Sequence, residues 1–194
     1  LSGEWRSAQP YKAPKIEIPE DLPNPKNERY LRAWTTLLVL KAKQHGGKMV
    51  VILSSRKAVL SAYEALSKQL PQGSVVLAQG LTGGLGKTLE LFSEHPEKSI
   101  ILATQRILHE LPKILESVAC VIIQKIPFEY STHALNAMRL ASFGDSFREY
   151  TVPKALLSLK KMLVMFADGK REVLLLDSRL HGTEYCSALA DELS

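Results

Sequence analysis

Short apolar runs punctuate the chain at intervals: KMVVIL from Lys48, SVVLAQ from Ser74, SIILAT from Ser99, VACVIIQ from Val118 and EVLLLD from Glu172. Apolar residues fill successive positions rather than alternate ones, so each run reads as a strand covered on both faces. From Glu28 the period changes. Tyr30, Leu31, Trp34, Leu37 and Leu38 recur at spacings of three and four until Gly46 and Gly47, which predicts a helix stopped by glycine. Further helical stretches are predicted over Lys57 to Leu70 and Leu89 to Glu94. Buried strands separated by helices predict an α/β domain, with a mostly parallel sheet and helices on both faces. The opening stretch is different. Pro10, Pro14, Pro19, Pro23 and Pro25 disfavour helix, so residues 1–27 are expected to form an extended arm or linker over a body that fills 28–194.

Composition narrows the class. At 194 residues, 45% hydrophobic and 23% charged, the chain suits about one globular domain and neither disorder nor a disulfide scaffold. No apolar run approaches the roughly 18 residues of a membrane helix. Opening at Leu1 without a charged-then-apolar leader, the chain reads as an excised or processed piece of a cytoplasmic protein. Cys120 and Cys186 lack metal-ligand spacing and are expected as reduced thiols, and the five histidines show no paired spacing. The net charge of +5 permits an acidic partner such as nucleic acid.

In a parallel sheet, ligands gather beyond the carboxyl ends of the strands. The residues there are Ser54, Ser55 and Arg56; Gln79 and Gly80; Thr104, Gln105 and Arg106; Gln124 and Lys125; and Asp177, Ser178 and Arg179. Hydroxyls, amides and arginines prevail with a single carboxylate, a set suited to phosphate-backbone contacts rather than acid–base catalysis. No nucleophile elbow or carboxylate pair is present. The segment LTGGLGKTLELF places Gly84 to Thr88 between a strand and a helix, as a phosphate loop requires. The full motif needs a glycine at Leu81, however, and Gly80 falls one residue early. A glycine-rich turn with Lys87 in solvent is the competing expectation.

Several segments together resemble the second motor domain of the DinG/XPD group of superfamily 2 DNA helicases. They are IPEDLPNPKNERYLRA, GGKMVVILSSRKAV, VIIQKIPF, and DSFREYTVPKALLSLKK followed by EVLLLDSRL, with Phe147 to Tyr150 running into Pro153, Ala155 and Leu159 the most specific. The resemblance implies a RecA-like half-motor that closes over ATP and grips single-stranded DNA beside a first motor domain upstream. That other half would carry the main ATP and magnesium ligands and any iron-sulfur cysteines. Ser54 and Ser55 fall in the family's phosphate-contacting loop, and Thr104 matches the threonine opening the fifth motif. With Arg56, Gln79 and Arg106, these form the expected DNA-binding set.

Two motifs depart from the family. In the fifth, His109, Glu110, Leu111 and Pro112 stand where the family has Glu-Gly-hydrophobic-Asp. In the sixth, Lys161, Val164, Met165 and Asp168 replace a glutamine, a glycine and two arginines, including the finger arginine that stabilises phosphoryl transfer. Helical spacing predicts an apolar stripe of Val152, Leu156, Leu159, Leu163 and Phe166, leaving Lys161 and Met165 on another face. Lys161, Lys170 and Arg171 are the cations that could substitute at the nucleotide. Two readings follow: the C-terminal domain of a DinG-like ATP-dependent DNA helicase, inactive when isolated, or a helicase-derived scaffold that binds DNA or protein without hydrolysis. Phe128 and Tyr130 are candidate base-stacking residues, with packing at the domain boundary as their other expected role.

Overall fold

A computed structural model describes residues 14–45, 47–70, 72–95, 98–128 and 134–181. Six strands form one sheet: β1 (Ile16–Glu17), β2 (Lys48–Leu53), β3 (Val75–Ala78), β4 (Ser99–Thr104), β5 (Val118–Ile123) and β6 (Glu172–Leu175). Their order is β1-β6-β5-β2-β4-β3, and every pairing is parallel. The expected parallel sheet is therefore present. From β2 the chain crosses to the β3 edge, returns through β4, then passes to β5 and β6 on the other side. This reversal puts a topological switch point at the carboxyl end of β2, where a ligand crevice belongs.

Helices α1 (Tyr30–His45) and α2 (Arg56–Leu66) cover one face; α3 (Leu85–Glu94) and α5 (Val152–Leu163) cover the other, with α4 (Ala134–Ala141) between β5 and α5 in sequence. Period-two alternation sorts the strand residues between two cores. Met49, Val51, Leu53, Cys120 and Ile122 pack with Trp34 and Leu38 of α1 and Val59 and Leu66 of α2. Val50, Ile52, Val121 and Ile123 pack with Phe92 of α3, Leu159 of α5 and the 3-10 turns carrying Ile107 and Leu111. Both cores are continuous aliphatic layers, and burying each such side chain contributes about 1.5–3 kcal/mol.

Of the proline-rich approach expected as an arm, the described residues 14–27 hold turns at 20–21 and 25–26, and they also contribute a strand to the sheet. Ile16 and Glu17 pair with Val173 and Leu174 of β6, and Leu22 is buried in the α1 core. Lys41 bonds Glu17 at 2.9 Å and also Glu172, tying β1, α1 and β6 together. The described helix α2 ends at Leu66, followed by a turn over 67–69, rather than reaching Leu70. Among the described residues, no helix is long and apolar enough to cross a membrane.

Candidate functional site

The carboxyl ends of the central strands are fastened by two glutamines. Gln124, one residue past β5 and 5% exposed, accepts the Ser54 amide at 3.1 Å and the Ser54 hydroxyl at 3.0 Å on Oε1. Gln79, one residue past β3, accepts the Thr104 amide at 2.9 Å and the Thr104 hydroxyl at 3.0 Å in the same way. Ser55 caps α2, its hydroxyl accepting the Ala58 amide at 3.1 Å. Four of the six residues expected at DNA thus have their side chains engaged in positioning the loops. The exceptions are Arg56 and Arg106. Both are exposed, and neither has an ion pair or hydrogen bond among the described residues. They line one groove of about 520 Å³ with Gln79, Gly80, Gly84, Leu60 and Leu81.

A second hollow, about 330 Å³, lies at the switch point. Its walls include Lys26, Ser54, Gln105, Lys125, Phe128, Met162 and Arg179. The two short loops leaving β2 and β4 serve both places: Ser54 and Gln105 face this cleft, whereas Arg56 and Arg106 face the groove.

Behind the cleft is a buried ionic and hydrogen-bonded frame. Asp177 is fully buried and accepts Arg179 through Nε at 2.7 Å and a terminal guanidinium nitrogen at 2.6 Å, together with the Ile126 amide at 2.9 Å. This bidentate geometry fixes the guanidinium over the Phe128 ring, 5.2 Å from its centroid. Phe128 stacks on Phe147 at 6.1 Å. The Tyr30 hydroxyl lies 2.7 Å from the Gln124 carbonyl and 2.8 Å from the Leu176 carbonyl, sharing its proton between the ends of β5 and β6. Burial, then the Asp177 charge, raises the Tyr30 phenol above its ordinary pKa. Lys125 sits 5.3 Å over the Tyr30 ring. Burial and the neighbouring Arg179 cation lower its pKa, while Asp177 opposes them.

The nucleotide positions expected from the sixth motif fall elsewhere. Arg171 immediately precedes β6, at the end of the sheet opposite the cleft. Its Nε donates to the Leu115 carbonyl at 2.9 Å and its guanidinium pairs with Asp168, leaving the side chain 2% exposed. Lys170 lies on that same turn, its amide donating to Asp168 at 3.1 Å. Lys161 is exposed and does not line the cleft; the neighbouring Met162 does. The expectation of an open face at Met165 is also corrected. α5 tightens into a 3-10 turn over Val164–Phe166, which turns Met165 towards the core and leaves Val164 53% exposed.

Gly84 to Thr88 forms a helix-opening turn. Gly80 and Gly83 adopt φ values of 84° and 144°, and the Gly80 amide donates to the Gly83 carbonyl at 2.7 Å. Thr88 is buried, its hydroxyl donating to the Gly84 carbonyl at 2.9 Å, while Lys87 pairs with Glu90 at 2.9 Å. The hydroxyl and amine a phosphate loop needs are engaged locally, which matches the competing expectation. In the altered fifth motif, Leu111 is buried and Glu110 pairs with Lys113. Among the described residues there is no group of three or more histidine, cysteine or carboxylate side chains placed to hold a metal ion. Cys186 and Tyr130 lie outside the described residues.

Sequence reasoning reached the strand-end residues because strand boundaries are legible, but it missed their internal pairing. It also missed Lys26, which reaches the cleft from a segment distant in sequence, and the bonds by which Tyr30 joins the frame behind it. The all-parallel sheet with its crevice at the switch point defines an α/β domain of RecA-like architecture. The helicase C-terminal domain family model matches residues 37–194, and the chain belongs to that family. The solved structure of S. tokodaii Xpd4 matches with a TM-score of 0.61 at 13% identity, over 93% of this chain. The chain spans 37% of that protein's length. No curated protein matches the sequence.

Proposed function

We propose that this chain is the C-terminal motor domain of a DinG-like, ATP-dependent DNA helicase in the cytoplasm, acting in DNA repair and working with a first motor domain upstream. It contributes grip on single-stranded DNA and one wall of the ATP cleft. The observation that carries the reading is the convergence of Arg56 and Arg106, without carboxylate partners, on one groove beside the strand ends. Guanidinium groups meet phosphate oxygens through paired donors. In this reading Ser54, Ser55, Gln79 and Thr104 serve chiefly to hold the loops from which those arginines project. Gln79 also lines the groove, where its amide remains available to a phosphate. Opening and closing against the other motor domain would then move the gripped strand.

A second reading is favoured by a specific observation. The described arginine facing the switch-point cleft is Arg179, and its guanidinium is held by Asp177. A domain lacking a mobile finger arginine there suits a scaffold that binds DNA or protein without hydrolysis. ATP hydrolysis by the whole protein, with and without single-stranded DNA, separates the two. DNA-stimulated turnover supports the motor, and DNA binding without turnover supports the scaffold. Absence of both overturns the nucleic-acid reading altogether.

A further inference from the structure

The switch-point cleft has an excess of cationic over acidic side chains in its lining. Arg179 is neutralised by Asp177, so the surplus comes from Lys26 and Lys125. Neither amine has a carboxylate partner or hydrogen bond among the described residues. They come from separate parts of the chain, Lys26 from a turn ahead of α1 and Lys125 from the loop after β5, yet line the same hollow. No acidic side chain lines it. The exposed Gln105 amide adds a neutral donor, and Ile123, Ile126, Phe128 and Met162 supply an apolar wall. The volume of about 330 Å³ lies within the range of small-molecule sites.

We propose that this cleft receives the terminal phosphates of a nucleotide, with Lys26 and Lys125 supplying charge in place of the arginines missing from the sixth motif. The proposal rests on the ATP-cleft reading above and deepens it by naming this chain's contacts. Two like charges lining one hollow repel one another, and a phosphate between them replaces that repulsion with two charge-assisted hydrogen bonds. The lowered pKa of Lys125 agrees with such a position, because burial and a neighbouring cation both disfavour its charge until an anion arrives. Gln105 would orient the phosphate oxygens. Lys161, Lys170 and Arg171 take no part.

The test uses the chain itself, with inorganic tripolyphosphate, ATP and single-stranded DNA titrated separately by calorimetry. Lysine acylation with and without each ligand is read by mass spectrometry. Tripolyphosphate and ATP should protect Lys26 and Lys125. Lys125→Gln and Lys26→Gln should each weaken tripolyphosphate binding about tenfold or more, the scale of one charge-assisted contact. Lys68→Gln should leave it unchanged, and circular dichroism checks that every variant is folded. Polyphosphate binding that survives both lysine substitutions, or protection at Lys161 or Lys170 instead, overturns the assignment while leaving the motor reading in place. Stronger protection of Lys125 by DNA than by ATP overturns the nucleotide as occupant. Failure of tripolyphosphate and ATP to bind at millimolar concentration overturns the proposal, and DNA titration of the same sample shows whether the nucleic-acid reading falls with it.

Discussion

Gln124 holds Ser54 by backbone and side chain at once, one amide oxygen accepting the Ser54 N–H at 3.1 Å and its hydroxyl at 3.0 Å. The same pair of hydrogen bonds joins Gln79 to Thr104 across β3 and β4. Gln124→Leu keeps the buried volume and removes the acceptor, so stability should fall by about 1–3 kcal/mol. Each kcal/mol lowers Tm by about 2–4 °C in a chain of this size. Thermal and urea unfolding measure the effect. A variant as stable as the parent would show that the Ser54 contacts contribute nothing net.

Arg56→Ala and Arg106→Ala should weaken single-stranded DNA binding without altering stability, because both side chains are exposed and unpaired among the described residues. Each lost phosphate contact should flatten the slope of log affinity against log salt by about 0.7. Fluorescence anisotropy over a salt series reads both quantities. An unchanged slope in the double variant would remove the groove from the DNA path.

The Cys120 thiol is pushed up to about 12, first by burial and then by the Glu172 charge. Only the thiolate reacts with alkylating agents, so native Cys120 should resist iodoacetamide at pH 8 and react on unfolding in urea. A group whose pKa is raised by folding stabilises the fold below its unfolded pKa, and that contribution disappears as pH climbs from about 9 towards 12. Peptide mapping of labelled protein gives the site directly. Rapid labelling of the native thiol would contradict its burial.

Asp168 is held below the ordinary carboxylate pKa of 3.8, chiefly by its bond to Arg171 and then by the Lys170 amide. Folding therefore gains from the ionised form above pH 3.8, and the gain is lost as pH falls through the folded-state value. Asp168→Asn should remove this acid-sensitive component, leaving Arg171 its bond to Leu115. Unfolding curves at pH 7 and pH 3 should differ less in the variant than in the parent. An equal pH response in both proteins would show that Asp168 is not responsible.

The sheet was readable because its strands are uninterrupted aliphatic runs bounded by glycine, proline and polar residues. α1 was readable because Trp34 and Leu38 repeat at helical spacing. The strand-end residues followed from topology alone. Their employment did not, since a hydroxyl that will contact phosphate and one that will meet Gln124 look identical in one dimension. Arg171 misled for a related reason. Proximity in sequence to the sixth motif says nothing of which end of the sheet it occupies, and only the pairing of β6 places it beside Leu115. Lys26 escaped because it reaches the cleft from a segment whose prolines suggested a linker, and the role of Tyr30 escaped because helical spacing places it in α1 without showing its bonds to the ends of β5 and β6. Met165 escaped because regular helical spacing does not foresee a final 3-10 turn.

The two-residue strand β1 bears on where this domain can be cut. The family match begins at residue 37, inside α1, and a boundary at Asn27 follows the change in composition. Either cut strips β1 from β6, leaving the Val173 and Leu174 backbone unpaired at an open edge and taking Leu22 from the core. Bare parallel edges invite strand addition from a second molecule. A fragment trimmed to the family boundary would also lose Tyr30 and Trp34, and should be recovered as aggregate. Expression that begins before Pro14 keeps the edge covered, Lys41 bridged to Glu17, and the approach in place along the cleft.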